Sequence, residues 1–251
     1  MYSLEELKSF LKKRLSKKRF IHSLNVADEA YKLAGMYGED PDKAYLAGLL
    51  HDVCKESPTA EQEELMLKSN MNISGAELST KALWHGPAGA YFIKSELGIN
   101  DSDILNAVRY HTIGRSGMSK LEEIIYMADL ISDDRDYKDV DKMRKLAYSD
   151  FERAMYEAVS YSIESVLKKQ GYIPECTVNL YNQYSYIYSV HKKNKEKNDG
   201  KKTVCVIRRA GDFAGGCVRL RKEDRTRRFR RDRRRCSIDY CCCNNNCCHG
   251  S

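Results

Sequence analysis

Leu4, Leu7, Phe10, Leu11 and Leu15 recur at three- and four-residue intervals, and Ser3 and Glu6 stand before them at capping-box spacing. This pattern predicts an amphipathic helix at the N-terminus. A second helix is expected from about Phe20 to Met36, with Ile21, Leu24, Ala27, Tyr31 and Ala34 on one side and the Gly38 region as its stop. Asp40-Pro41 reads as N-cap and first residue of a third helix, whose run Ala44–Leu50 is apolar almost all round. Ser57-Pro58 opens another in the same way. Later helices are expected at about 86–96, 102–110, 119–131, 138–147 and 150–169, with Ser119 and Glu122 forming a second capping box. No window shows period-two alternation, so residues 1–191 are expected to form one all-α domain, a helical bundle.

The pattern changes after residue 191. KKNKEKNDGKK reads as a charged linker, Val204–Ile207 as a weak strand-like patch, RLRKEDRTRRFRRDRRR as an arginine run, and CCCNNNCCHGS as low complexity. Residues 192–251 are therefore expected to be a disordered basic tail. Charge divides at the same place. Residues 1–191 hold 24 Lys and Arg against 29 Asp and Glu, a balance of −5, whereas residues 192–251 hold 19 against 7, a balance of +12. The whole-chain charge of +7 is thus an average over unlike parts, and eight of the ten cysteines also lie in the tail. No apolar run approaches a membrane span, and the charged N-terminus has no secretory h-region, so a cytoplasmic protein without a membrane partner is expected.

Candidate chemistry sits in the first 191 residues. His22, His51, His85 and His111 fall in apolar or helical settings, and His51-Asp52 ends the apolar helix. Asp129 is a lone carboxylate within Leu121–Ile131. Burying such groups is costly unless they are hydrogen-bonded or bind metal, and a divalent cation prefers imidazole and carboxylate ligands. His191, beside lysines, belongs to the surface. Lys55 is either a phosphate partner or a solvated helix-end lysine. Trp84 and Cys54 are expected in the core.

The blocks His22–Ala27, Ala47–Glu56 (AGLLHDVCKE), Leu83–Ala90 (LWHGPAGA), Ala107–Arg115 (AVRYHTIGR) and Ile124–Asp129 (IIYMAD) resemble the HD-domain metal-dependent phosphohydrolases. Within them, HGPAGA and RYHTIGR resemble the YqeK-type symmetrical diadenosine tetraphosphate hydrolases. The resemblance runs through Thr177–Asn182, although the family's histidine before Pro174 is missing here. It implies an HD-domain helical bundle that cuts dinucleoside tetraphosphates symmetrically, giving two ADP from diadenosine tetraphosphate. It implies that His22, His51, Asp52 and Asp129 hold a divalent metal, with iron expected and manganese or another divalent ion as alternatives. His85, His111, Thr112 and Arg135 would face the phosphates, and Thr177–Asn182, with Thr177 and Asn182 at its ends, would help bind the nucleotide. His22, Asp52 and Asp129 would also bind substrate. A homodimer is expected on the same ground.

The residues agree with such a mechanism. A bound cation lowers the pKa of water to give a hydroxide nucleophile and offsets phosphate charge. Asp52, His85 and His111 are the expected catalytic residues. The two histidines either protonate the departing oxygen or hold a second metal. Two rival functions stay open: an HD hydrolase of an alarmone or deoxynucleotide, and a non-enzymatic protein that binds RNA through its basic tail. The tail cysteines with His249 lack the loop spacing of a zinc module.

Overall fold

A computed structural model describes the backbone of residues 2–200, with side chains through residue 192. Every regular element among these residues is helical: α1 (Leu4–Arg14), α2 (Lys17–Tyr37), α3 (Pro41–Leu50), α4 (Thr59–Lys68), α5 (Gly75–Leu78), a 3-10 turn at Lys81–Leu83, α6 (His85–Ser95), α7 (Ser102–Tyr110), α8 (Lys120–Ile131), α9 (Val140–Ser149), α10 (Phe151–Lys168) and α11 (Glu175–Gly200). The fold is all-α, as the sequence pattern predicts. The strand-like patch, the arginine run and the cysteine-rich end lie outside the described residues. By its contacts the chain divides between Tyr188 and Ser189, within α11.

Local chemistry accounts for most helix ends. Capping boxes form at Ser3 with Glu6 and at Ser119 with Glu122, and a third, Ser74 with Glu77, starts the unanticipated α5. Asp40 caps α3 with Pro41 at its first turn, and Gly38, at φ 77°, closes α2 in the left-handed region that glycine tolerates. One start differs from expectation. α4 begins at Thr59 with Pro58 as an uncapped boundary, because the Ser57 hydroxyl is occupied by Arg14 and Glu61. At the other end α11 continues through residues 192–200, which were expected to be a linker. Lysine and glutamate favour helix, and no proline interrupts the run.

The centre of the core is α8. Leu121, Ile124, Ile125, Met127, Ala128 and Ile131 are all essentially inaccessible, each large side chain contributing about 1.5–3 kcal/mol of apolar burial. α2 crosses α3 at small residues. A Cβ on Gly48 would lie 2.9 Å from Ala27 Cα, so only glycine permits this approach. The crossing also corrects the predicted face of α2. Ile21 and Tyr31 are exposed, and the buried stripe is His22, Val26, Ala27, Ala30, Leu33 and Ala34. Bulky Ile21 and Tyr31 side chains would hold the two helices apart, whereas the alanines let them close. His22 turns inward as a result.

α11 fastens the loop that follows α7. Leu180 packs under Gly114, whose φ of 61° and lack of a Cβ both suit the contact. Gln183 Oε1 accepts from Ser116 Oγ at 2.7 Å and from the Gly117 amide at 2.8 Å. Tyr184 donates to Glu123 on α8.

Candidate metal centre

Five helices converge on one buried point. His22 comes from α2, His51 and Asp52 from the end of α3, His85 from the first position of α6, His111 from the end of α7, and Asp129 from the last turns of α8. His22, His51, Asp52, His85 and His111 are each at most 3% exposed. Three of the histidines are fixed through Nδ1: His51 donates to the Gly48 carbonyl at 2.6 Å, His111 to the Val108 carbonyl at 2.7 Å, and His22 to Asp134 Oδ2 at 2.8 Å. A carbonyl only accepts, so the proton of His51 and His111 sits on Nδ1 and each Nε2 presents a lone pair. For His22 the carboxylate of Asp134 selects the same tautomer.

Asp52 neighbours all four histidines. Its Oδ2 lies 3.3 Å from His51 Nε2 and 3.9 Å from His22 Nε2, while its Oδ1 lies 3.4 Å from His85 Nε2 and 3.5 Å from His111 Nε2. Asp129 Oδ1 lies 3.0 Å from His22 Nε2 and 3.8 Å from His51 Nε2. His22 Nε2, His51 Nε2 and Asp52 Oδ1 are buried without a hydrogen-bond partner. Leaving such atoms unsatisfied is unfavourable by about 1–3 kcal/mol each. Two ligand-sized groups result, His22 with His51 and Asp129, and His51 with Asp52 and His111. Inward lone pairs, carboxylates and unmet polar atoms are the donor set that a divalent cation fits.

Positive side chains surround these carboxylates. Arg19 Nη1 donates to Asp52 Oδ2 at 2.7 Å, and Arg135 donates to both the carboxylate and the carbonyl of Asp129. Burial opposes ionisation of Asp52, but the neighbouring His51 and His111 outweigh it and hold its pKa well below the usual range. Asp129 is likewise lowered, burial being overcome by His22 and Arg135. His51 is raised because the two aspartates outweigh burial. His85 is driven well down by burial and by Lys55, whose Nζ lies 3.2 Å from His85 Nε2. Burial lowers Lys55 too, so it is a mostly enclosed neighbour of His85 and not the solvated helix-end lysine of one sequence reading. Thr112 Oγ1 is 3.2 Å and His111 Nε2 is 3.1 Å from His85 Nε2.

Of the residues singled out in the sequence, His22, His51, Asp52, His85, His111, Thr112, Asp129 and Arg135 therefore meet. Thr177 and Asn182 do not join them. Thr177 Oγ1 donates to the Ile113 carbonyl at 2.7 Å, and Asn182 is exposed on α11. Two members escaped the sequence reading. Arg19 precedes His22 by three residues, a same-face helical spacing that signals it. Asp134 sits in the polar run Asp133–Asp136, where nothing local separates it from its neighbours. Trp84 and Cys54 are buried as expected. Trp84 Nε1 donates to the Glu77 carbonyl, and burial pushes the Cys54 thiol up to about 11. No helix among the described residues is long and apolar enough to cross a membrane.

Comparison with known proteins agrees with this geometry. The family model described as HD domain matches residues 19–169. A Bacillus subtilis protein named symmetrical bis(5'-nucleosyl)-tetraphosphatase is 36% identical over 178 residues, covering 71% of this chain and 95% of that one. A Staphylococcus aureus protein of the same name is 34% identical over 186 residues, covering 73% and 95%. A crystal structure described as a predicted HD superfamily hydrolase involved in NAD metabolism, from Clostridium acetobutylicum, is 38% identical with a TM-score of 0.71, covering 74% of this chain and 98% of the other. With one family matched across the whole buried cluster and relatives covered almost end to end, the chain belongs to the HD domain family, among the symmetrical bis(5'-nucleosyl)-tetraphosphatases.

Proposed function

We propose that this protein hydrolyses dinucleoside tetraphosphates symmetrically, releasing two ADP from diadenosine tetraphosphate, with a divalent cation held by His22, His51, Asp52 and Asp129. The observation that carries the site is the set of buried Nε2 and carboxylate atoms left without partners around Asp52. The names of the relatives support the substrate class. Iron is the expected metal, with manganese as alternative, and when bound it supplies Lewis-acid stabilisation of phosphate charge and an acidified water.

The chain's own residues have distinct parts. Arg135, Arg19 and Lys55 supply the positive charge that a tetraphosphate requires, in a domain that is otherwise net acidic. Burial and Lys55 favour the neutral form of His85, which with the Thr112 hydroxyl 3.2 Å from its Nε2 would orient the phosphates and the attacking water. The leaving group needs little protonation, because the terminal phosphate of a nucleoside diphosphate ionises near pH 6. The one free lone pair of His51 serves the first ion, so a second ion would be held by Asp52 Oδ1 with the two histidines it faces, His85 and His111. The nucleotide contact expected of Thr177–Asn182 belongs to α11 and to the loop that Thr177 ties down.

Incubating the full chain with iron(II) or manganese(II) and diadenosine tetraphosphate, then separating products, tests this reading. ADP as sole product supports it. ATP with AMP, or no turnover, overturns it.

A further inference from the structure

A cavity of about 390 Å³ opens beside His22, between the start of α2 and the segment that follows α8. Its size suits a nucleoside or nucleotide. Lys18, Arg19 and Arg135 give it three positive charges, and of its two carboxylates Asp134 is already bonded to His22, Asn25 and Ser132. Tyr137 and Tyr161 form one wall, their rings stacked at 4.7 Å and 27°. Tyr161 is 37% exposed, which leaves part of its ring open. The Tyr137 hydroxyl is buried and has no hydrogen-bond partner. A phenol in that condition is unfavourable unless something else meets it.

The mechanism above uses only the side of this cavity that touches the metal centre, Arg19 and Arg135. Cations, an open aromatic face and an unmet phenol are the combination that recognises a phosphorylated nucleoside: charge for phosphate, stacking for the base, a hydroxyl for its polar edge. The substrate has two nucleoside ends, and none of residues 177–182, where the sequence resemblance puts a nucleotide contact, lines this cavity. We propose that the cavity formed by Lys18, Arg19, Tyr137 and Tyr161 receives one nucleoside end of the dinucleoside tetraphosphate, its base stacked on Tyr161 and bonded to the Tyr137 hydroxyl. The inference rests on the substrate class proposed above. It assigns Tyr137 and Tyr161 to binding, and leaves bond cleavage to the cluster around Asp52.

Calorimetric titration of the full chain without added metal tests the pocket independently of turnover. Tyr161→Ala is expected to weaken binding of diadenosine tetraphosphate about tenfold, within the range of base–aromatic stacking, and Tyr161→Phe to restore it. Tyr137→Phe keeps the ring and is expected to weaken binding about threefold to tenfold. Inorganic tetraphosphate, which has the phosphates and no nucleoside, is expected to bind wild type and all three variants equally. Unchanged diadenosine tetraphosphate binding in Tyr161→Ala overturns the proposal. So does parallel weakening of both ligands, or loss of manganese binding in that variant, since either places Tyr161 in support of the metal and phosphate site. Circular dichroism confirms that the variants fold. Absence of turnover in the wild-type enzyme, by contrast, counts against the proposed reaction and leaves the calorimetric comparison intact.

Discussion

Asp134 Oδ2 accepts the Nδ1 proton of His22 at 2.8 Å, and Asp134 is held for that task by Asn25 Nδ2 at 3.1 Å and Ser132 Oγ at 3.0 Å. The carboxylate fixes the tautomer that leaves His22 Nε2 free to face Asp129. Partners of this kind change metal affinity by about 10–100-fold when lost. Asp134→Ala is expected to weaken manganese(II) binding by that factor with little change in helicity, and Asp134→Glu to recover part of it. Equilibrium dialysis and circular dichroism measure both. Wild-type affinity in Asp134→Ala would show that the bond is incidental.

Asp52 touches both ligand groups, its two oxygens lying within 3.5 Å of His51, which both groups contain, and of His85 and His111. A cation bound across α2, α3 and α8 also ties three separate elements together, and binding to the folded state alone raises stability by RT ln(1 + [L]/Kd), about 2.7 kcal/mol at a hundredfold excess over Kd. Manganese(II) is therefore expected to raise the melting temperature of the wild type, and a chelator to reverse the shift. Asp52→Ala is expected to show no shift and no turnover. A metal-induced shift that survives in Asp52→Ala contradicts the ligand assignment.

These two aspartates also mark what the sequence discloses and what it conceals. His51-Asp52 is legible because an ionisable pair closes a run of apolar residues, and Asp129 because it interrupts another. Asp134 stands among four polar neighbours, and only the return of the chain past α2 brings it to His22. The same limit applies to helix faces. The three- and four-residue spacing of α2 is correct as a helix, yet which stripe is buried depends on Gly48 meeting Ala27 from a different helix. Caps fared better, since Ser119 and Glu122 satisfy each other within four residues. Thr177 and Asn182 show another limit: the resemblance flags a segment whose Thr177 and Leu180 meet Ile113 and Gly114 in the loop after His111, a long-range contact that no local spacing announces.

Gly86 and Arg109 set the distance between the helices that carry His85 and His111. A Cβ at position 86 would lie 2.8 Å from the Arg109 carbonyl oxygen, an atom of the backbone that cannot swing aside. Gly86→Ala is expected to destabilise the fold by about 1–3 kcal/mol, as overpacking does, and to lower turnover by spreading the two histidines. Gly35→Ala is the contrasting case. It lies within α2, where the nearest atom to a new Cβ is Pro41 Cγ at 3.9 Å, so a gain of about 0.5–1 kcal/mol is expected from helix propensity. Urea unfolding of both variants gives the signs, and equal effects would refute the packing argument.

Lys43 Nζ sits 2.9 Å from both Asp101 and Asp103, and Asp101 Oδ1 accepts the amides of Asp103 at 2.9 Å and Ile104 at 3.2 Å as the N-cap of α7. Burial raises the Asp101 pKa, but Lys43 and the two amides more than reverse it, so the folded value lies below the unfolded one, about 3.9. Its contribution is present above about pH 4 and lost as pH falls through the folded value. For Lys43, burial is outweighed by the two aspartates, so its raised pKa adds stability that is complete below about pH 10 and lost above the folded value. The pair is part-exposed, and screening limits each effect to about 1 kcal/mol or less. Asp101→Asn keeps a cap but not the charge. It is expected to be slightly less stable than wild type at pH 7 and to lose less stability between pH 5 and pH 3, whereas Asp101→Ala loses about 1 kcal/mol more at pH 7 with the cap. Thermal melts across that range decide the matter, and an acid slope in Asp101→Asn as steep as in wild type would remove Asp101 from the account.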